Sequence, residues 1–189
     1  MHTSSAPAGA TQKLDLREKG APMAGEPQTT DRRLYMQLQA FGGCGDPASL
    51  RKALESRGAE GVLYLDLHDP QGVGILFISE EPEWFVREGR QILAGDPFNT
   101  LQRKPALAMF GKTYATGREQ DVEDWVLAKP RRAALNPSWP WAVWYPLRRK
   151  AEFALLSKEE QGTILAEHAK LGIAYGQSGY AADIRLSCY

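Results

Sequence analysis

The order of elements legible in the sequence predicts an α+β fold with antiparallel sheets. Three observations carry this expectation: segments that alternate apolar and polar residues, segments whose apolar residues recur at steps of three and four, and their succession as β-α-β-β-α-β followed by a shorter β-α-β. Such a succession places helices over an antiparallel sheet.

Residues 1–31 are rich in Ala, Gly, Pro, Ser and Thr and have no usable apolar period, so a disordered N-terminal tail is expected. From Leu34, LYMQLQAF alternates as a strand. PASLRKALESRG then begins with Pro47 after Asp46, repeats its Leu residues at helical spacing and stops at Gly58. The glycines between them, Gly42, Gly43 and Gly45, are followed by neither G-K-[ST] nor G-x-G-x-x-G, so they read as a strand-to-helix turn and not as a phosphate loop. VLYLDLH and VGILFIS form a hairpin across the turn DPQG, PEWFVREGRQIL is a helix opened by Pro82, and ALAMFGKTY is a fourth strand. Together they predict a complete ferredoxin-like unit over residues 32–118, with helices on one face and the other face left for a second sheet.

Residues 119–140 contain a helix over EQDVEDWVLAK and a proline-broken connection, KPRRAALNPSWP. Residues 141–189 repeat the pattern as strand WAVWYPL, a helix, and strand AADIRLSCY. Only β-α-β is present there, so the expectation is an incomplete second unit with an open sheet edge.

The helix of the second unit begins with a capping box, Ser157 and Glu160. Ile164, Leu165, His168, Leu171 and Tyr175 share one face of it as far as Gly176, while Glu159, Glu160, Glu167 and Lys170 carry the charge on the other. The pattern therefore turns the His168 imidazole inward. Two readings stand: a core histidine satisfied by carbonyls, or an axial ligand to a haem iron. No second His, Cys or carboxylate shares that face at i±3 or i±4, which argues against zinc on this helix. His68 beside Asp69 and Pro70 reads as a solvated turn residue, and His2 lies in the tail. Arg148, Arg149 and Lys150 read either as a solvated strand end or as cationic partners for haem propionates.

The totals exclude several classes. The chain has 189 residues, with 23 Lys and Arg against 23 Asp and Glu, a formal charge of zero that leaves no nucleic-acid footprint. Its two cysteines, Cys44 and Cys188, lack C-x-x-C spacing and read as reduced thiols. No run approaches the roughly 18 apolar residues of a membrane span. The N-terminus has no apolar segment suited to a secretory signal, so a cytoplasmic location is expected.

The runs YPLRRKAEF and EHAKLGIAY, with the upstream GKTYATGREQDVEDWVLAKPRR, resemble the chlorite dismutase family, and the similarity extends weakly to about Leu34. The resemblance implies two ferredoxin-like units, a dimeric α+β barrel whose sheets enclose haem b, in a homo-oligomer. It implies His168 as the proximal iron ligand, with Arg148, Arg149 and Lys150 near the propionates, joined from the other sheet by Lys112 and Tyr114. Phe153 stands where the family has a haem-side tryptophan. Arg185 matches the distal arginine of the chlorite-decomposing members, with Gln177 as a rival. The implied substrates are chlorite, decomposed to chloride and dioxygen, or peroxide. Coproheme is the substrate in the decarboxylase alternative, where Tyr145 would relay a radical. A further alternative is a dimeric α+β barrel protein that binds no haem and serves oligomerisation.

Overall fold

A computed structural model describes residues 14–179 and 184–188 of the chain. Two short strands, β1 (Glu18–Lys19) and β2 (Thr29–Thr30), pair with each other. The main sheet is six-stranded and antiparallel throughout. Its members are β3 (Tyr35–Gly42), β4 (Gly61–Leu65), β5 (Val73–Ser79), β6 (Gln102–Arg103), β7 (Met109–Thr113) and β8 (Leu186–Cys188). They run in the order β4-β5-β3-β7-β8, with β6 beside the far end of β3. The α+β architecture with an antiparallel sheet is therefore as expected from the sequence.

Helix α1 (Pro47–Ser56) starts where Asp46 accepts a hydrogen bond from the Ala48 N–H at 3.0 Å, and Leu50 and Leu54, one turn apart, bury its inner face. Helix α2 spans residues 82–94 and contains a π-helical turn, Phe85–Gly89. Both pack on one face of the sheet. There Phe41, Val73, Ile75 and Phe77 meet Leu50, Leu54, Phe85, Ile92 and Leu93 in a first core. The alternate residues of the same strands, Met36, Leu76 and Ile78, point to the other face and join Leu34, Val126 and Leu127 in a second core. β5 is covered on both sides, which is why VGILFIS is a continuous apolar run.

The second core is covered by α3, residues 122–134, which includes the π-helical turn Asp124–Ala128 and the α-helical Lys129–Ala134. The sequence predicted a break at Pro130, and the helix instead continues through it. Pro130 has no N–H for the Val126 carbonyl, and the Thr113 hydroxyl of β7 donates to that carbonyl at 2.7 Å. Ion pairs fasten the same helix to the sheet: Arg131 meets Glu60 at 2.5 Å and Glu80 at 3.6 Å, and Arg32, paired with Glu80 at 2.9 Å, meets Glu123 of the helix at 3.9 Å.

Three further expectations are corrected. Part of the supposed tail is ordered: Gln28 donates to the Ala21 and Gln120 carbonyls, and the Ala21 N–H to the Glu119 carbonyl, docking β1 and β2 beside α3. Residues 1–13, His2 included, lie outside the described residues. WAVWYPL forms no regular element and belongs to no ladder, since a strand needs a neighbour and the β7 edge is already taken. The taker is β8, predicted for a second sheet. It lies against Gly111, where an added Cβ would stand only 3.0 Å from the Ser187 carbonyl oxygen, so the missing side chain permits the approach.

Candidate functional site

His168 lies on α4 (Lys158–Ser178), a helix of 21 residues with no buried residue. The capping box forms as read: Glu160 N–H donates to Ser157 Oγ at 3.2 Å, and Ser157 N–H donates to the Glu160 carboxylate at 2.8 Å, holding that carboxyl below its ordinary range. Gly179, with φ +72°, closes the other end. The apolar face is also real in sequence terms, yet Leu171 and Tyr175 are each 60 % exposed and His168 itself is exposed. The expected inward-pointing imidazole is thus corrected. Periodicity aligned these side chains, but no surface among the described residues covers them.

The other residues of this arm are similarly open. Tyr145 is exposed on the WAVWYPL stretch, beside the equally exposed Trp141, Val143 and Leu147. Arg148, Arg149 and Lys150 follow it, all exposed, and lead into a single 3₁₀ turn, Ala151–Leu155. Within the arm one proposed pair does meet, with the Arg149 guanidinium 5.3 Å from the centre of the Phe153 ring.

A second group sits on the body. Arg185, just before β8, lies over the Trp125 ring of α3 at 4.2 Å and meets Glu119 at 3.7 Å. Burial pushes the Glu119 carboxyl up, but the Thr116 hydroxyl and the Thr116 and Arg118 N–H groups outweigh it, so it stays below the ordinary range as a buried anion. Lys112 on β7 meets Glu18 at 3.7 Å, a carboxylate shared with Arg33 at 3.6 Å. Tyr114 is half-buried just past that strand, and Gln177 is exposed near the end of α4.

His68 stands as the sequence placed it, in an exposed turn with its N–H donating to Asp66 at 2.9 Å. Lys104 Nζ bridges Asp69 at 2.6 Å and Asp66 at 3.1 Å. The Lys104 bond lowers the Asp69 carboxyl most, the His68 N–H that of Asp66, and the two carboxylates raise the lysine.

Sequence reasoning missed two cavities. One, of about 420 Å³, is lined by Gln37, Gln39, Phe85, Arg90, Leu93 and Arg103. The other, of about 530 Å³, lies by Asp15, Arg17, Asp31 and Arg33. Alternation in LYMQLQAF puts Tyr35, Gln37, Gln39 and Phe41 on one side of the strand, so the aromatic pair was a sign of a half-covered face. Neither cavity reaches His168.

The donor set suits a haem in kind: one accessible imidazole, three exposed cations earlier in the same arm and an apolar helix face. What encloses a porphyrin is a second surface against α4, which the described residues do not supply. Among the described residues no three His, Cys, Asp or Glu side chains cluster to hold a metal ion, and no helix is long and apolar enough to cross a membrane. No protein-family model, curated protein or solved structure matches the chain.

Proposed function

We propose that the chain is a haem b-dependent oxidoreductase of the chlorite dismutase type, acting on chlorite or peroxide, with His168 as the iron ligand. The observation that carries this reading is His168 itself, an accessible imidazole on a capped helix that shares its face with apolar side chains. The strand order β4-β5-β3-β7, with α1 and α2 on one face, supports a ferredoxin-like reading of residues 32–118. When bound, the haem would supply an open iron coordination position for a small anion. His168 would hold the iron, and Arg148, Arg149 and Lys150 would pair with the propionates. Arg185 would orient the anionic substrate, its position set by Glu119 and Trp125. Closure of the site against α4 falls to a second surface, in a homo-oligomer or beyond the described residues.

The wholly exposed apolar face of α4 favours a second reading, in which the arm joins copies of the chain and binds no cofactor. Titration of the purified chain with ferric haem b separates the two. A saturable Soret shift that His168→Ala abolishes supports the first. Absence of any shift, in a folded protein that self-associates through α4, supports the second.

A further inference from the structure

We propose that the cavity of about 420 Å³ between α2 and the centre of the sheet binds a small organic anion, its acidic group held by Arg90 and Arg103 and its apolar body against Phe85 and Leu93. This site is independent of the haem reading. It lies on the face of the sheet that carries the first core, whereas Trp125 and Trp144 pack on the opposite face.

Gln37 pairs in register with Phe77 on one side and Phe110 on the other, and Gln39 with Ile75. Phe77 and Ile75 are almost wholly buried. A position meant only to pack there would take a β-branched or aromatic residue, and an amide in such surroundings calls for a partner. Among the described residues the Gln37 and Gln39 side chains make no hydrogen bond, and Arg90 and Arg103 make no ion pair. Arg103 lies over the Phe41 ring at 5.7 Å, its only such contact.

Among the described residues several other exposed cations, Lys52, Arg57 and Arg87 among them, also lack a carboxylate, so the mark of Arg90 and Arg103 is that both line one cavity. Arg17, Arg32, Arg33, Lys104, Arg131 and Arg132 are each paired with a carboxylate. Two guanidinium groups left without an anion at one cavity, with two amides able to donate and accept, form a receptor for a planar oxyanion and a neighbouring hydroxyl or carbonyl. Phe85 and the exposed Val86 come from the π-helical turn of α2, and Arg90 follows it directly; such turns recur at functional sites. The volume is that of a small-molecule pocket, and the lining is mixed in the way such pockets are: an apolar wall with a few convergent polar groups.

The test uses salicylate and phenyl phosphate as probes, with inorganic phosphate as the control, followed by calorimetry and by the side-chain amide NMR signals of the whole chain. The expected result is saturable binding of at least one organic probe with a dissociation constant below about 1 mM, with inorganic phosphate at least about tenfold weaker because it cannot use the apolar wall. Arg90→Gln with Arg103→Gln, at exposed positions that leave the fold intact by circular dichroism, should weaken it at least about tenfold. Gln37→Leu with Gln39→Leu keeps the sheet packed and should abolish, by calorimetry, any preference for salicylate over benzoate, run as a further control; an undiminished preference would mean that the amides do not touch the ligand. Which organic probe binds tighter distinguishes a carboxylate from a phosphate ester. No saturable binding, equal binding by the arginine double variant, or inorganic phosphate binding as tightly as phenyl phosphate would each overturn the proposal.

Discussion

Residues 14–134 and residues 141–179 carry apolar side chains in equally regular patterns, yet only the first region buries them. In β5, Val73, Ile75 and Phe77 meet α1 and α2 while Leu76 and Ile78 meet α3. In the arm, Trp141, Val143, Tyr145 and Leu147 alternate just as regularly and all stand in solvent, with Trp144 between them reaching the second core. A periodic pattern decides which residues share a face. Burial requires a second surface at the right distance, and a contiguous apolar surface without one marks a place of interaction.

The sharpest way to break this contrast is to cut the same kind of side chain in each region. Phe77→Ala should lower stability to urea by about 3–5 kcal/mol, since it opens a cavity in the first core. Leu171→Ala on α4 should change it by less than about 0.5 kcal/mol. Comparable losses at both sites would mean that the arm is packed in solution. Next in size is Thr113→Val. The hydroxyl accepts from the Leu34 N–H at 3.0 Å and donates to the Val126 carbonyl, so its loss leaves two buried backbone groups unpaired, at about 1–3 kcal/mol.

A smaller effect is expected from pH, read in the body at Glu119. The Glu119 carboxyl lies below its ordinary range when folded. Its stabilising contribution is therefore complete above the unfolded value of about 4.3 and is lost as pH falls toward the lowered folded value. Urea midpoints followed downward from about pH 6 should fall less steeply in Glu119→Gln than in the parent. Parallel curves would mean that Arg185 and the Thr116 turn do not hold this anion. Smallest for the whole protein is Ser157→Ala. It should reduce helical circular dichroism by destabilising α4 locally, by about 1 kcal/mol, without moving the unfolding midpoint of the body. A shifted midpoint would show that the two regions unfold together.

Most of the body was legible because its signals are local. Asp46 and Pro47 open α1, Pro82 opens α2, and Ser157 with Glu160 opens α4, each at the residue the cap requires. What escaped depended on neighbours far along the chain. Pro130 read as a break because the Thr113 hydroxyl that serves the carbonyl it leaves is 17 residues away in sequence. The cavity at Gln37 and Gln39 could not be read from β3 alone because its other wall, Phe85, Arg90 and Leu93, is contributed by residues 82–94. For the candidate haem residues, residue type and helix face were readable, while exposure of His168 and the docking of Arg185 on Trp125 were not.

The sequence by itself determined the α+β class, the succession of strands and helices in the body, the helix caps and the face that His168 shares with Ile164 and Leu171. These follow from backbone geometry and from periodicities that complete themselves within a few residues. Only the tertiary structure decided that Leu186–Cys188 closes the β7 edge instead of starting a second sheet, that α3 runs through Pro130, and that two unpaired arginines converge with two glutamines on one cavity. Edges, roofs and charge partners are contributed by distant segments, and their pairing is settled by which surfaces can exclude water together.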